Sequence, residues 1–248
     1  MFTYVKSRSI INEMRRRSSK LLAELSGKLK KESDINAEIR IVGSCRNNLV
    51  TRNGDENPDV DYNLRIIDSP NYYNGRWVKE TVRKAFNKVL NDNGLEDCQD
   101  SKAVLTVTGI PLSNADIKSF SMDLGIVREK DETKKMMRLV HFKTGSIETD
   151  QYSWEEIPDS DSVKAKEEAI KKAGCWAEVR DRYLELKNMY LRNMDYDHLS
   201  YVVYMETINE VYSKIGSKTQ KKKARHISAL EQLINGGLTY VTTNDRGL

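Results

Sequence analysis

Two short stretches of this chain admit few backbone conformations. Ile41-Val42-Gly43-Ser44 is followed, one loop later, by Pro58-Asp59-Val60-Asp61-Tyr62. Side chains two positions apart share a face on a β-strand, where successive residues alternate sides. The sequence therefore predicts a strand over 59–67, with Asp59 and Asp61 on one face and Val60 and Tyr62 on the other. Pro58 fits its first position, where no ladder donor is needed. The alternation from Ala37 to Val42, with Ile39 and Ile41 on one side, predicts a second strand ending at Gly43. A Gly-Ser step at a strand end offers bare N–H groups and a hydroxyl to a phosphate. Two carboxylates this close repel unless a cation lies between them, and hard oxygen ligands suit Mg²⁺ or Mn²⁺.

The surrounding elements follow from periodicity. Ile10, Met14, Leu21, Leu22, Leu25 and Leu29 predict an amphipathic helix over 6–31. Residues 43–58 read as a short helical turn and a loop rich in Asn, Asp and Gly. Val78, Val82, Phe86, Val89 and Leu90 predict a helix over 77–91, stopped at Asn93-Gly94. Strands are expected at 103–108 and 117–127, and a further strand or hairpin at 136–146. On the 117–127 strand, Phe120, Met122, Leu124 and Ile126 share one face, and Ser121, Asp123 and Gly125 share the other. If that strand lies beside 59–67, Asp123 completes a three-carboxylate cluster able to hold two ions roughly 4 Å apart. This order of elements fits an α+β class rather than a doubly wound parallel sheet. After Pro158 the pattern turns helical: 162–192, broken near Gly174; a helix through Leu199–Ile215 ending at Gly216; and a third over 218–234. The expected division is 1–155 for the mixed core and 156–248 for a helical domain.

Composition narrows the setting. The chain has 248 residues, 38% hydrophobic and 31% charged, with a formal net charge of +4. That is a mild bias, short of a dedicated DNA-binding domain. No window approaches the roughly 18 apolar residues of a membrane span. Lys6, Arg8 and Arg15 to Arg17 interrupt any apolar core of a signal peptide. Cys45, Cys98 and Cys175 stand at wide spacing, which points to a reducing cytoplasm rather than a disulfide framework. Positive charge gathers at Arg15–Arg17, Lys28–Lys31 and Lys221–Arg225, runs that most often form solvated helix faces.

Gly43-Ser44, then Asp59-Val60-Asp61, then Asp123 resembles the polymerase-β-type nucleotidyltransferase superfamily. That superfamily includes CCA-adding enzymes, poly(A) polymerases, antibiotic nucleotidyltransferases and cyclic-oligonucleotide synthases. The resemblance covers residues 37–127 and implies a mixed sheet packed against helices. It implies that Gly43 and Ser44 contact the β- and γ-phosphates, and that Asp59, Asp61 and Asp123 hold two metals. The implied reaction moves a nucleoside monophosphate from an NTP to a hydroxyl of RNA, protein, a small molecule or another nucleotide. The preceding helix and the following helical domain look like the poly(A)-polymerase and cyclic-oligonucleotide branch. Lys187 lies where related enzymes bring a lysine to the triphosphate, although a surface lysine fits the same pattern. Arg46 either reaches a phosphate or faces solvent.

Other residues carry weaker signals. Asn63 follows the alternation of Asp59 and Asp61 and so faces the same side. Tyr183, Tyr190, Tyr201 and Tyr204 could stack a base, but their helical spacing is that of core residues. Arg192 followed by His198 resembles the Arg-x(4–6)-His motif of HEPN ribonucleases. It defines an alternative in which the helical domain cleaves RNA and the first domain senses a nucleotide. A non-catalytic nucleotide-binding module is a third reading. His141 and His226 have no partner visible in the sequence.

Overall fold

The structure is a computed structural model, and it describes residues 1–146, 148–157, 160–195 and 200–216. A short strand β1 (Phe2–Tyr4) opens the chain and pairs antiparallel with β3 (Thr51–Asn53). Between them lie α1 (Arg8–Ser33), β2 (Asn36–Val42) and the four-residue α2 (Gly43–Arg46). Then come β4 (Asp59–Asp68), α3 (Gly75–Asp92), β5 (Gln99–Asp100), β6 (Val104–Pro111) and β7 (Ser119–Glu129). A hairpin follows, β8 (Met136–Phe142) and β9 (Gln151–Glu156), and then α4 (Ser160–Lys172) and α5 (Trp176–Arg192). A further helix, α6, runs through 200–216.

The main sheet has the order β2-β4-β7-β6-β5, with β8 pairing β7 and β9. Only β4 and β7 run parallel, so the sheet is mixed. Alternation along β4 and the first half of β7 decides which side is core; beyond Gly125 both faces of β7 are covered, and Val127 is buried on the other side. Val60, Tyr62, Leu64 and Ile66 of β4, and Phe120, Met122, Leu124 and Ile126 of β7, are all buried. They meet α1 through Met14, Leu21, Leu22, Leu25 and Leu29, and α3 through Val78, Val82, Phe86 and Val89, in one cluster. Burial of this apolar face is the main stabilising term, at roughly 1.5–3 kcal/mol for each large side chain. The opposite face keeps the polar residues of the same strands. α1 starts where the Ser7 hydroxyl accepts from the Ile10 N–H, and stops at Asp34 in the left-handed conformation.

The expected helices over 6–31 and 77–91 are α1 and α3, and the strands at 37–42, 59–67, 103–108 and 117–127 are β2, β4, β6 and β7. The short strands β1 and β5 are not among the expected elements, and two further elements differ. β3 falls in the stretch that the sequence assigns to a loop; three residues are too few to show a period, and what fixes them is pairing with β1. The hairpin expected within 136–146 is wider, because β8 finds its partner in Gln151–Glu156. His141, for which the sequence shows no partner, is buried between two carboxylates. Its Nδ1 lies 2.8 Å from Asp100 Oδ2 and its Nε2 2.8 Å from Asp150 Oδ2, with the ring stacked on Tyr152. The Lys79 ammonium lies 2.7 Å from Asp100 Oδ1 and completes this clamp between α3, β5 and the β8–β9 hairpin.

The chain divides into two compact units, Met1–Ser160 with Lys187–Tyr201, and Asp161–Leu186 with Val202–Leu248. Val163, Ile170, Val179, Tyr183, Leu186, Val203, Ile208 and Val211 form buried positions of the second unit. Arg182 makes a forked contact to Glu210 at 2.6 and 3.0 Å there. Tyr183 and Tyr204 pack edge to face in this core; Tyr201 is exposed. The helix expected over 162–192 with a break near Gly174 is α4 and α5, with Gly174 at φ +71° between them. The helix expected over 218–234 and His226 lie outside the described residues. No described helix is long and apolar enough to cross a membrane.

Candidate active site

Parallel pairing of β4 with β7 sets Asp61 directly beside Asp123, and Asp59 beside Ser121. Both aspartates of β4 and Asp123 therefore project from the polar face of the sheet. One oxygen from each lies within 4.8 Å of the others, the only such acidic or metal-ligating group among the described residues. Thr106 of β6, in register with Asp123, donates its hydroxyl to Asp123 Oδ1 at 2.6 Å. Asp123 Oδ2 has no hydrogen-bond partner among the described residues.

The Gly-Ser turn closes one side of the cluster. Val42 pairs with Asp61, so the chain leaves β2 directly beside that carboxylate. Gly43 adopts φ +61°, and a Cβ there would collide with Asp61 Oδ2 and lie 2.8 Å from Asp61 Cγ. Only glycine combines that conformation with that approach. The Ser44 backbone N–H donates to Asp61, while the buried Ser44 hydroxyl has no partner among the described residues. A buried hydroxyl left unbonded is costly unless something else supplies the partner.

The electrostatics of the cluster are unfavourable on their own. Burial, then the charges of Asp59 and Asp123, push the Asp61 carboxyl up to about 7, against which the Ser44 N–H acts. Burial and Asp59 also raise Asp123, opposed by Thr106. Lys187 belongs to the same unit. Burial lowers the pKa of its ammonium, while attraction to Asp59 and Asp61 opposes the shift. It donates to Thr51 Oγ1 at 3.2 Å and sits 4.1 Å over the Phe2 ring. Its neighbour Asn188 bonds both Phe2 backbone groups, accepting at 2.7 Å and donating at 3.1 Å.

The donor set fits a hard divalent cation: three converging carboxylates and no softer ligand, whose mutual repulsion such an ion would relieve. Asn63 shares the face of Asp59 and Asp61; Gly125 lies opposite, where a Cβ would come 2.9 Å from Asn63 Oδ1. Arg46 is placed elsewhere. It lines a cleft of about 430 Å³ with Arg15, Ser19, Ile39, Ile41 and Tyr62, and the last three belong to the side of β2 and β4 opposite the carboxylates. Arg192 is exposed, and His198 lies outside the described residues. Thr106 was not singled out from the sequence. Its signal is the alternation Leu105-Thr106-Val107, which gains meaning only once β6 is known to border β7.

No protein-family model and no curated protein matches the sequence. Solved structures do resemble it. Vibrio cholerae DncV, in its 3′-deoxy GTP bound form, is 11% identical over 91% of this chain and 73% of that chain, with a TM-score of 0.52. CdnC of E. coli MS115-1 with ATP is 16% identical over 82% and 61%, with a TM-score of 0.48. The CdnE cyclic dinucleotide synthase of Elizabethkingia meningoseptica, with GTP and Apcpp, is 14% identical over 82% and 78%, with a TM-score of 0.43. This chain spans less than two thirds of the length of the CdnC chain. The fold is that of the polymerase-β-type nucleotidyltransferases.

Proposed function

We propose that this protein is a divalent-metal-dependent nucleotidyltransferase, moving a nucleoside monophosphate from an NTP to a hydroxyl acceptor and releasing pyrophosphate. The observation that carries this reading is the convergence of Asp59, Asp61 and Asp123 beside an unbonded Ser44 hydroxyl. Mg²⁺ or Mn²⁺, held by these three carboxylates, would neutralise the triphosphate and lower the pKa of the acceptor hydroxyl. Ser44 donates to a terminal phosphate oxygen, and Gly43 lets the turn approach without a side chain. Lys187, already drawn toward the carboxylates, places a cation on the triphosphate. The acceptor oxygen bonds to the α-phosphorus, the bond from that phosphorus to the bridging oxygen breaks, and pyrophosphate leaves with the electron pair. Asp123 Oδ2, the oxygen Thr106 leaves free, takes the acceptor's proton. Arg46, facing the other side of the sheet, is not assigned to this chemistry.

Residues 1–155 are read as the catalytic domain and 156–248 as a helical domain that returns Lys187 to it. The acceptor is a hydroxyl of RNA, protein, a small molecule or a second nucleotide, and the NTP places the reaction in the cytoplasm. A direct test incubates the protein with each NTP labelled at the α- or γ-phosphate, Mg²⁺ or Mn²⁺, and total RNA or lysate. Label from the α-position on an acceptor, with labelled pyrophosphate from the γ-position and neither with Asp61→Asn, is the expected result. Pyrophosphate release equal in the wild type and Asp61→Asn would overturn the proposal.

A further inference from the structure

Arg128 of β7 is a buried cation without a counter-ion among the described residues. It lies on the core side of the sheet, in register with Ile66, and is 8% exposed. Its guanidinium carbon lies 4.9 Å from each of three ring centroids, those of Tyr72, Tyr73 and Trp154. No carboxylate among the described residues pairs with it, and its Nε and Nη1 are enclosed without an acceptor. The Trp154 Nε1–H in the same cage is also enclosed and unbonded. The tyrosine hydroxyls turn elsewhere, Tyr72 donating to the Glu129 carbonyl and Tyr73 to Asp131 at 2.6 Å.

Aromatic faces attract a guanidinium but accept none of its in-plane hydrogen bonds. Arginine is almost never this buried without a partner, so the cage lacks an acceptor that its chemistry demands. The acceptor must be anionic, because it has to balance a full positive charge out of water. It must also receive hydrogen bonds from more than one plane. The guanidinium carbon lies over the Trp154 ring, so the indole N–H and the guanidinium N–H groups would reach one anion from two separate side chains. A tetrahedral oxyanion meets this condition better than a planar carboxylate. The Tyr73 ring, 67% exposed, is the most open wall of the cage and offers an aromatic surface to solvent.

We propose that the Arg128–Tyr72–Tyr73–Trp154 cage is a second ligand site, separate from the carboxylate cluster, that binds a phosphate group with Tyr73 as its lid. The phosphate comes either from the inorganic ion or from a nucleoside monophosphate whose base stacks on Tyr73.

The full chain is titrated in EDTA with inorganic phosphate, adenosine monophosphate or acetate, reading tryptophan emission and melting temperature. Phosphate is expected to shift the emission and raise the Tm with the logarithm of its concentration, and acetate to do neither. Ser44→Ala keeps this response and Arg128→Met loses it. In phosphate-free buffer Arg128→Met melts no lower than the wild type, since it removes an unpaired buried charge; an Arg128 that served only as structure would give a lower Tm. Arg128→Lys, a single-point donor, weakens phosphate binding by about tenfold or more. Tighter binding of the monophosphate, reduced to the phosphate level by Tyr73→Ala, identifies the nucleotide; equal binding identifies the ion. A wild type indifferent to phosphate, an Arg128→Met variant that responds like the wild type, or acetate as effective as phosphate would each overturn the proposal.

Discussion

The substitution Asp61→Asn should stabilise this protein in the absence of metal, by an amount that depends on pH in a defined way. The Asp61 carboxyl is raised from 3.8 to about 7, first by burial and then by the charges of Asp59 and Asp123. Between these values the folded chain holds a proton that the unfolded chain has released, so wild-type stability falls as pH rises. Each pH unit is about 1.4 kcal/mol at full slope, so from pH 5 to pH 8 the wild type loses about 3 kcal/mol from this group, the loss levelling off above pH 7. Asparagine has the same shape, carries no charge, and its side-chain oxygen can accept from the Ser44 N–H as Asp61 does. The stability excess of Asp61→Asn should therefore grow by about 3 kcal/mol between pH 5 and pH 8, roughly 5–10 °C in Tm for a domain of this size. Thermal melts in EDTA at the two pH values measure it. Saturating Mg²⁺ should reverse the order at pH 8, because only the intact cluster gains from the cation. A Tm difference independent of pH, or an asparagine variant less stable than the wild type at pH 8 in EDTA, would refute this account of the cluster.

Three further outcomes are expected. Gly43→Ala forces a left-handed backbone, at about 1–2 kcal/mol, and drives a methyl group into Asp61; urea melts read the first effect, and loss of pyrophosphate release beyond the change in folded fraction reads the second. Thr106→Val frees Asp123 Oδ1 and should weaken Mg²⁺ binding by about 10–100-fold while Thr106→Ser restores it, as measured by calorimetry. His141→Leu leaves Asp100 and Asp150 facing each other across a buried site and should lower the Tm by several degrees, yet leave the metal affinity of the folded protein unchanged.

The parts of this molecule that could be read from its sequence are those fixed by local alternation. Asp59 and Asp61 had to share a face, Val60 and Tyr62 had to be buried, and Gly43 had to end β2, because strand geometry leaves no other choice. The face of Asp123 was equally plain, but its adjacency to Asp61 was conditional on a parallel β4–β7 pairing that no local pattern encodes. The same limit hid Thr106, which matters only through the strand next to it. His141 shows the problem most clearly. Its partners lie 41 residues back, beyond strands β6 and β7, and nine residues ahead, across an irregular loop, so its burial depends on contacts with no period. Arg46, left open in the sequence between a phosphate and solvent, is exposed and lines a cleft with Ile39, Ile41 and Tyr62; a four-residue helix is too short for any period to fix its direction.

The account rests on one shared cation site formed by three carboxylates, and Mn²⁺ binding followed by electron paramagnetic resonance tests it without reference to any acceptor. The wild type at pH 8 should bind Mn²⁺, more tightly with a non-hydrolysable NTP analogue present. Asp59→Asn, Asp61→Asn and Asp123→Asn should each weaken binding by more than about tenfold. Binding left unchanged by Asp123→Asn, or no binding by the folded wild type with the analogue present, would contradict it.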